Sequence, residues 1–294
     1  MGDVRCDNAG NHYARIVPPA GGSQRDSMQA PVRRIQPDGK PAGVFTVPDN
    51  FRTQRFFVTG DSEVYQLASR EDESANYILA FRSNGSVGAT IRLQTKVFST
   101  YQIAFFRTGD FLVSGVAGQH GHSLFTAIFD VNGKLLHQIE EPEDREFARR
   151  AASGDRDFLT DDLDVGNAAG IFGDAVTGSD GNVYLLRSTS PALIYVISPK
   201  GEIVRKLHIN PPGGGLMARG LLAAPDKLAI RFVESNGLAG TMLVVDLEGN
   251  LLTSHLSNDR ETSPGIPGCY DGSSFTFVTS NEDQEIFVRK AEPK

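Results

Sequence analysis

The chain has no tryptophan, only two cysteines in 294 residues, and no apolar run of about 18 residues. The missing apolar run excludes a helical membrane span, so membrane insertion is not expected. Two cysteines, Cys6 and Cys269, supply neither a disulfide framework nor a zinc motif. No charged-then-apolar segment opens the chain; Met1-Gly2 leads into Asp3-Val4-Arg5-Cys6, which reads as a strand rather than a signal peptide. Basic residues are scattered, 29 Lys and Arg against 36 Asp and Glu, and the net charge is −7. Nucleic acid is therefore not an expected partner. A nucleophile elbow, phosphate loop, nucleotide fingerprint and HExxH are all missing. That removes enzymes built on a local motif, but not those that gather catalytic groups from scattered positions.

What the chain does have is turn chemistry. It carries 31 glycines and 15 prolines, and its hydrophobic fraction of 39% suits a turn-rich all-β protein. Five hairpin turns share one form: Gln36-Pro37-Asp38-Gly39, Arg82-Ser83-Asn84-Gly85, Asp130-Val131-Asn132-Gly133, Ser198-Pro199-Lys200-Gly201 and Asp246-Leu247-Glu248-Gly249. Proline or a polar residue suits the early turn positions, and glycine accepts the left-handed geometry that follows a type I turn. Between them lies a second set, at Asp7–Gly10, Thr59–Ser62, Thr108–Asp110, Ser179–Asn182, Pro225–Lys227 and Asp271–Ser273, each followed by a β-rich run. The outer glycines are 46, 48, 68 and 48 residues apart. Two hairpins per unit at that period make four-stranded blades, which cannot bury both faces alone and so stack radially.

The expected fold is all-β, a single six-bladed β-propeller of four-stranded antiparallel blades. The blades are placed at about 3–47, 54–93, 100–140, 170–209, 217–256 and 265–294, with an insertion at 141–169 between blades three and four. In that insertion Glu143 to Ala152 follows Pro142 with acids first and arginines later, which predicts a short helix. The sixth blade stops after its third strand. A strand lent from upstream of Met1, with an export signal beyond it, is the expected completion.

The sequence Asp180-Gly181-Asn182-Val183-Tyr184, followed by the hairpin Ile194–Gly201, resembles the NHL-like, or TolB-like, six-bladed propellers; Ala9-Gly10-Asn11-His12-Tyr13 is the next best copy. The resemblance covers nearly the whole chain and implies architecture rather than activity. Without tryptophan, WD-type, YWTD-type and tryptophan-docking propellers fit poorly.

In an up-and-down blade the tight turns lie on one face. The links between strands two and three, and between blades, lie on the other, where this sequence is long and irregular: Val17–Ala30, Ala68–Asn76, Gly115–Ser123, Glu141–Ala169, Asn210–Arg219, Glu234–Gly240 and Ser257–Ile266. That long-loop face is where binding is expected. Arg15, Arg187 and Arg231 fall near the ends of second strands, and Arg107, with Arg5, is read in an innermost strand. One or two of the arginines, with Arg15, Arg107, Arg187 and Arg231 as the candidates, could present an anion site; ion pairing and stem packing are the alternative. His120 and His122 could offer two imidazoles to one metal, against a plain solvent-facing loop. Asp155, Asp157, Asp161, Asp162, Asp164 and Asn167 form an acidic cluster without calcium-loop spacing. No cofactor is identified, with calcium or another divalent metal as the open alternative.

Cys6 and Cys269 precede the first turns of blades one and six, neighbours in a closed ring. Their offsets to the turn glycines differ by one residue, and innermost strands are expected to stand too far apart to bridge. Small buried thiols are therefore expected rather than a disulfide. The function expected is a non-catalytic binding or scaffolding propeller that takes a protein or a small polar ligand on its long-loop face. The alternative is a metal-dependent hydrolase or lyase with a channel-mouth site. A monomer is expected, periplasmic or secreted if an N-terminal segment is missing and otherwise cytoplasmic.

Overall fold

The computed structural model describes residues 4–15, 29–70, 73–95, 98–117, 123–153, 171–234, 240–257, 266–280 and 286–291. They form the strands of six antiparallel sheets, each meandering in chain order, and this is the blade content of a six-bladed β-propeller. The chain divides into two compact units, Met1–Gln94 with Pro264–Lys294, and Thr95–Ser263.

The first unit holds three sheets. One comprises β1 (Val4–Cys6), β2 (His12–Arg15), β3 (Val32–Ile35) and β4 (Pro41–Phe45). Another comprises β5 (Phe51–Val58), β6 (Val64–Arg70), β7 (Glu73–Phe81) and β8 (Val87–Arg92). The last contains β21 (Ile266–Tyr270), β22 (Phe275–Ser280) and β23 (Ile286–Ala291), three strands, as the sequence leads one to expect. Tyr13, Phe45, Phe56, Tyr77 and Phe81 belong to a core of twelve buried side chains shared by the first two sheets.

The second unit also holds three sheets, each of four strands. They are β9 (Phe98–Phe105) to β12 (Leu135–Ile139) through β10 (Phe111–Ala117) and β11 (Ser123–Phe129); β13 (Phe172–Thr177), β14 (Val183–Arg187), β15 (Ala192–Ile197) and β16 (Ile203–Ile209); and β17 (Leu216–Ala223), β18 (Lys227–Glu234), β19 (Gly240–Asp246) and β20 (Leu251–Ser257). Tyr184, Leu186, Ile194 and Val196 on one sheet meet Leu228, Ile230, Phe232 and Leu243 on the next in a core of fourteen. Alternate residues of each strand face one neighbour, as the two-residue period of a strand requires.

The hairpins form for the reason the sequence suggests. Each of the five outer glycines has positive φ, and in the first, Gly39 N–H donates to the Gln36 carbonyl at 2.9 Å. A register shift beside each turn, such as that between Arg34 and Ile35, is the bulge that accompanies this geometry. The insertion starts with α1 (Pro142–Ser153), between β12 and β13. Pro142 occupies the first turn, where its missing N–H costs nothing; Glu143 and Asp144 follow, and Arg150 lies in the last turn.

One expected loop is largely strand. Ala68–Asn76 pairs as Ala68 with Tyr77, Ser69 with Asn76 and Arg70 with Glu73. Polar side chains that suggest a loop here sit on a ladder whose backbone bonds are indifferent to them.

Candidate functional site

The four candidate arginines are each held in a different way. Arg187 ends β14 and is 0% exposed. Its Nε and Nη2 donate to the two carboxylate oxygens of Asp144 at 3.0 and 2.7 Å. Nη1 donates to Gln102 Oε1 at 2.8 Å and Ser114 Oγ at 3.1 Å, and Nη2 also to Thr126 Oγ1 at 2.8 Å. The guanidinium lies 5.2 Å from the Phe172 ring centroid and 5.8 Å from that of Tyr195. Every donor of the fork is thus engaged within the second unit.

Asp144 reaches Arg187 because it sits in the first turn of α1. Ala148, one helical turn further on, is buried with it, and Phe147 packs against Val116, Ile171 and Phe172. Tyr195 donates its hydroxyl to Asp144 Oδ1 at 3.1 Å, and burial, then the adjacent carboxylate, push that phenol well above its ordinary range. Lys206 holds the helix start through Glu141 at 2.5 Å and Glu143 at 2.7 Å. This arrangement docks α1 on the sheets.

Arg107 is placed differently from the sequence reading. It lies in the turn after β9, not within the strand, and donates through Nη2 to the Ser179 carbonyl at 2.6 Å, exposed. That is the tight-turn end of the sheets, opposite the end where β14 presents Arg187. In the first unit Arg15 is 5% exposed, donates to Gln66 Oε1 at 2.7 Å and lies 5.8 Å from the Phe56 ring. Gln66 is itself fully buried.

Arg231 stands apart from these. It lies in β18 on the sheet face opposite Ile230 and Phe232, paired across the sheet with Gly220 and Met242. Its stem runs over Gly220, where an added Cβ would come within 3.2 Å of Arg231 Cβ. It is partly buried, and burial lowers its pKa below the ordinary guanidinium range with no neighbouring charge to oppose the shift. Among the described residues it has no hydrogen-bond or ion-pair partner. A partly buried guanidinium without a counter-ion favours an incoming anion.

His120, His122 and the acidic cluster from Asp155 to Asn167 lie outside the described residues. Among the described residues no group of three or more His, Cys, Asp or Glu is arranged to hold a metal ion.

The cysteines require a correction. Cys6 and Cys269 are joined as a disulfide with a Cα separation of 5.6 Å, and both are partly exposed. The one-residue offset that argued against the bond is what permits it. Adjacent blades meet through opposite faces of their sheets, so side chains of opposite parity point at each other. The strands also approach more closely than expected: a Cβ at Gly268 would lie 2.5 Å from Val4 Cγ1. Beside the bond His12, 2% exposed, shares a hydrogen bond with Thr276 through Nε2 at 2.9 Å. Burial lowers the His12 pKa, against the raising effect of Asp7.

No family model matches the sequence, and no curated protein does. Solved structures do. A Bacteroides caccae protein of unknown function is 14% identical, with a TM-score of 0.56 over 88% of this chain and 82% of its own. A catalytically inactive variant of virginiamycin B lyase from Staphylococcus aureus, solved with quinupristin, is 12% identical, with a TM-score of 0.52 over 99% of this chain and 80% of its own. At such identities the likeness is one of fold, and the fold it supports is the six-bladed β-propeller.

Proposed function

We propose that this chain is a non-catalytic binding propeller, NHL-like or TolB-like in kind, that takes an anionic ligand, an acidic protein segment or a small polar acid, at Arg231. The observation that carries the reading is the partly buried guanidinium with no partner among the described residues. Arg187, Arg107 and Arg15 each have protein acceptors, so Arg231 is the candidate arginine whose charge awaits one. An anion there recovers electrostatic energy that burial has taken from the side chain.

The disulfide supports an oxidising compartment, and we place the protein outside the cytoplasm on that ground. No helix among the described residues is long and apolar enough to cross a membrane.

Thermal unfolding with inorganic phosphate and with a polyglutamate peptide tests the binding reading. Ligand at a hundred times its Kd adds about 2.7 kcal/mol, a rise in Tm of roughly 5–10 °C. The rise is expected in the native chain and lost in Arg231→Gln. Equal rises in both proteins, or none in either, would remove Arg231 as the anion contact. A stoichiometric, tightly held metal in the purified protein would instead favour the hydrolase or lyase alternative.

A further inference from the structure

We propose that the Cys6–Cys269 disulfide is a redox-operated latch, holding the three-stranded sheet β21–β23 to the first sheet of its unit. Three observations point there. First, the apolar seam between these two sheets is small. Among the described residues it buries four side chains, Val4, Ala14, Ile35 and Val278, with Ile266, Ile286 and Val288 partly buried against them, where the seam between the first and second sheets buries twelve. Second, β21–β23 is the one sheet with three strands, so no fourth strand ties it to the rest of its unit among the described residues. Third, the bond joins residues 263 apart in sequence and lies beside the His12–Thr276 hydrogen bond, so covalent and polar contacts concentrate where apolar contact is thin.

Both cysteines are partly exposed, which gives a dithiol reductant access. One reductant thiolate attacks a sulfur of the bond and displaces the other cysteine as a thiolate, which takes a proton from water. The second reductant thiol then attacks the reductant's own sulfur in the mixed disulfide and releases the remaining cysteine, which keeps the proton as a thiol. The chain ends with two thiols and the reductant with a disulfide. After reduction β21–β23 is held, among the described residues, by four buried side chains, the partly buried Ile266, Ile286 and Val288, and the His12–Thr276 bond, and it opens locally while the remaining sheets keep their larger cores.

Hydrogen exchange of the full chain, followed by mass spectrometry with and without a dithiol reductant, tests the latch. Reduction is expected to speed exchange about tenfold or more in β21–β23 and β1, while β13–β20 stays protected. The double variant Cys6→Ala with Cys269→Ala should exchange at the fast rate from the start and ignore reductant. Exchange unchanged on reduction, or accelerated equally in every sheet, overturns the proposal. So does the recovery of two free thiols from protein prepared without reductant.

Discussion

Removing Asp144 tests how α1 is attached. In Asp144→Ala the Arg187 guanidinium keeps its bonds to Gln102, Ser114 and Thr126 but loses the only carboxylate it touches among the described residues. Arg187 is 0% exposed, so water cannot take the place of the lost charge without opening the core. Breaking a buried pair from one side costs about 3–5 kcal/mol. An exposed pair such as Arg149–Glu146 costs roughly 0–1 kcal/mol. At 2–4 °C per kcal/mol for a unit of this size, Tm should fall by roughly 6–20 °C. Scanning calorimetry reads it, with Glu146→Ala as the helix control, expected to shift by no more than roughly 4 °C. Adding Arg187→Met to Asp144→Ala should recover part of the loss, since removing both charges leaves neither stranded; the coupling is expected at up to about 3 kcal/mol. A loss below about 1 kcal/mol for Asp144→Ala would refute the reasoning, because the pair would then behave as a solvated one.

Other predictions follow from the same geometry. Gly39→Ala and Gly85→Ala both force a side chain into positive φ, but a Cβ at Gly39 meets nothing within 4 Å while one at Gly85 lies 1.8 Å from the Val44 carbonyl oxygen. Urea unfolding should show Gly39→Ala costing about 1–2 kcal/mol and Gly85→Ala distinctly more; equal costs would mean the two sheets do not touch at Val44. Arg187→Lys keeps the charge but not the fork, and should lose much of the stability lost in Arg187→Met, as read by the same melt. His12 has a lowered folded pKa, so the unfolded chain binds the proton first as pH falls below the ordinary 6.5. Stability should therefore decline as pH drops from 7 towards the folded value and level off beneath it. His255, also lowered by burial, contributes in the same direction. In His12→Gln the urea midpoint should vary less across that window, and an unchanged slope would deny His12 its part.

The blades were legible because their turns are chemical. A left-handed residue at a fixed place in a hairpin leaves glycine in the sequence, and all five outer turn glycines carry positive φ. Even the departure at Ser62, with φ of 69° at the equivalent of an inner-turn glycine, kept the surrounding pattern readable. The helix was legible through its proline, its early acids and its later arginine. The site was not, because it depends on parity and on partners distant in sequence. Arg15 stands two residues after Tyr13 and Arg187 three after Tyr184, so two arginines that look alike in the repeat face opposite sides of their sheets. Asp144 reads as a residue that complements a helix dipole, yet its carboxylate turns inward to Arg187, 43 residues on. Gln102 carries no local signal either, although it accepts from Arg187 and donates to the carbonyls of Asp174 and Leu186. The cysteine offsets mislead for the same reason, since neighbouring sheets present opposite faces to each other.

The central claim is that Arg231 is a guanidinium held ready for an anion, and nuclear magnetic resonance of the arginine Nε–Hε groups tests it most directly. The full chain, labelled with nitrogen-15, is titrated with inorganic phosphate and then with the polyglutamate peptide. The account predicts one Nε–Hε resonance that shifts and saturates with at least one of the two probes and is missing from the spectrum of Arg231→Gln. If no arginine resonance moves with either probe, or if the moving resonance persists in Arg231→Gln, the account is contradicted.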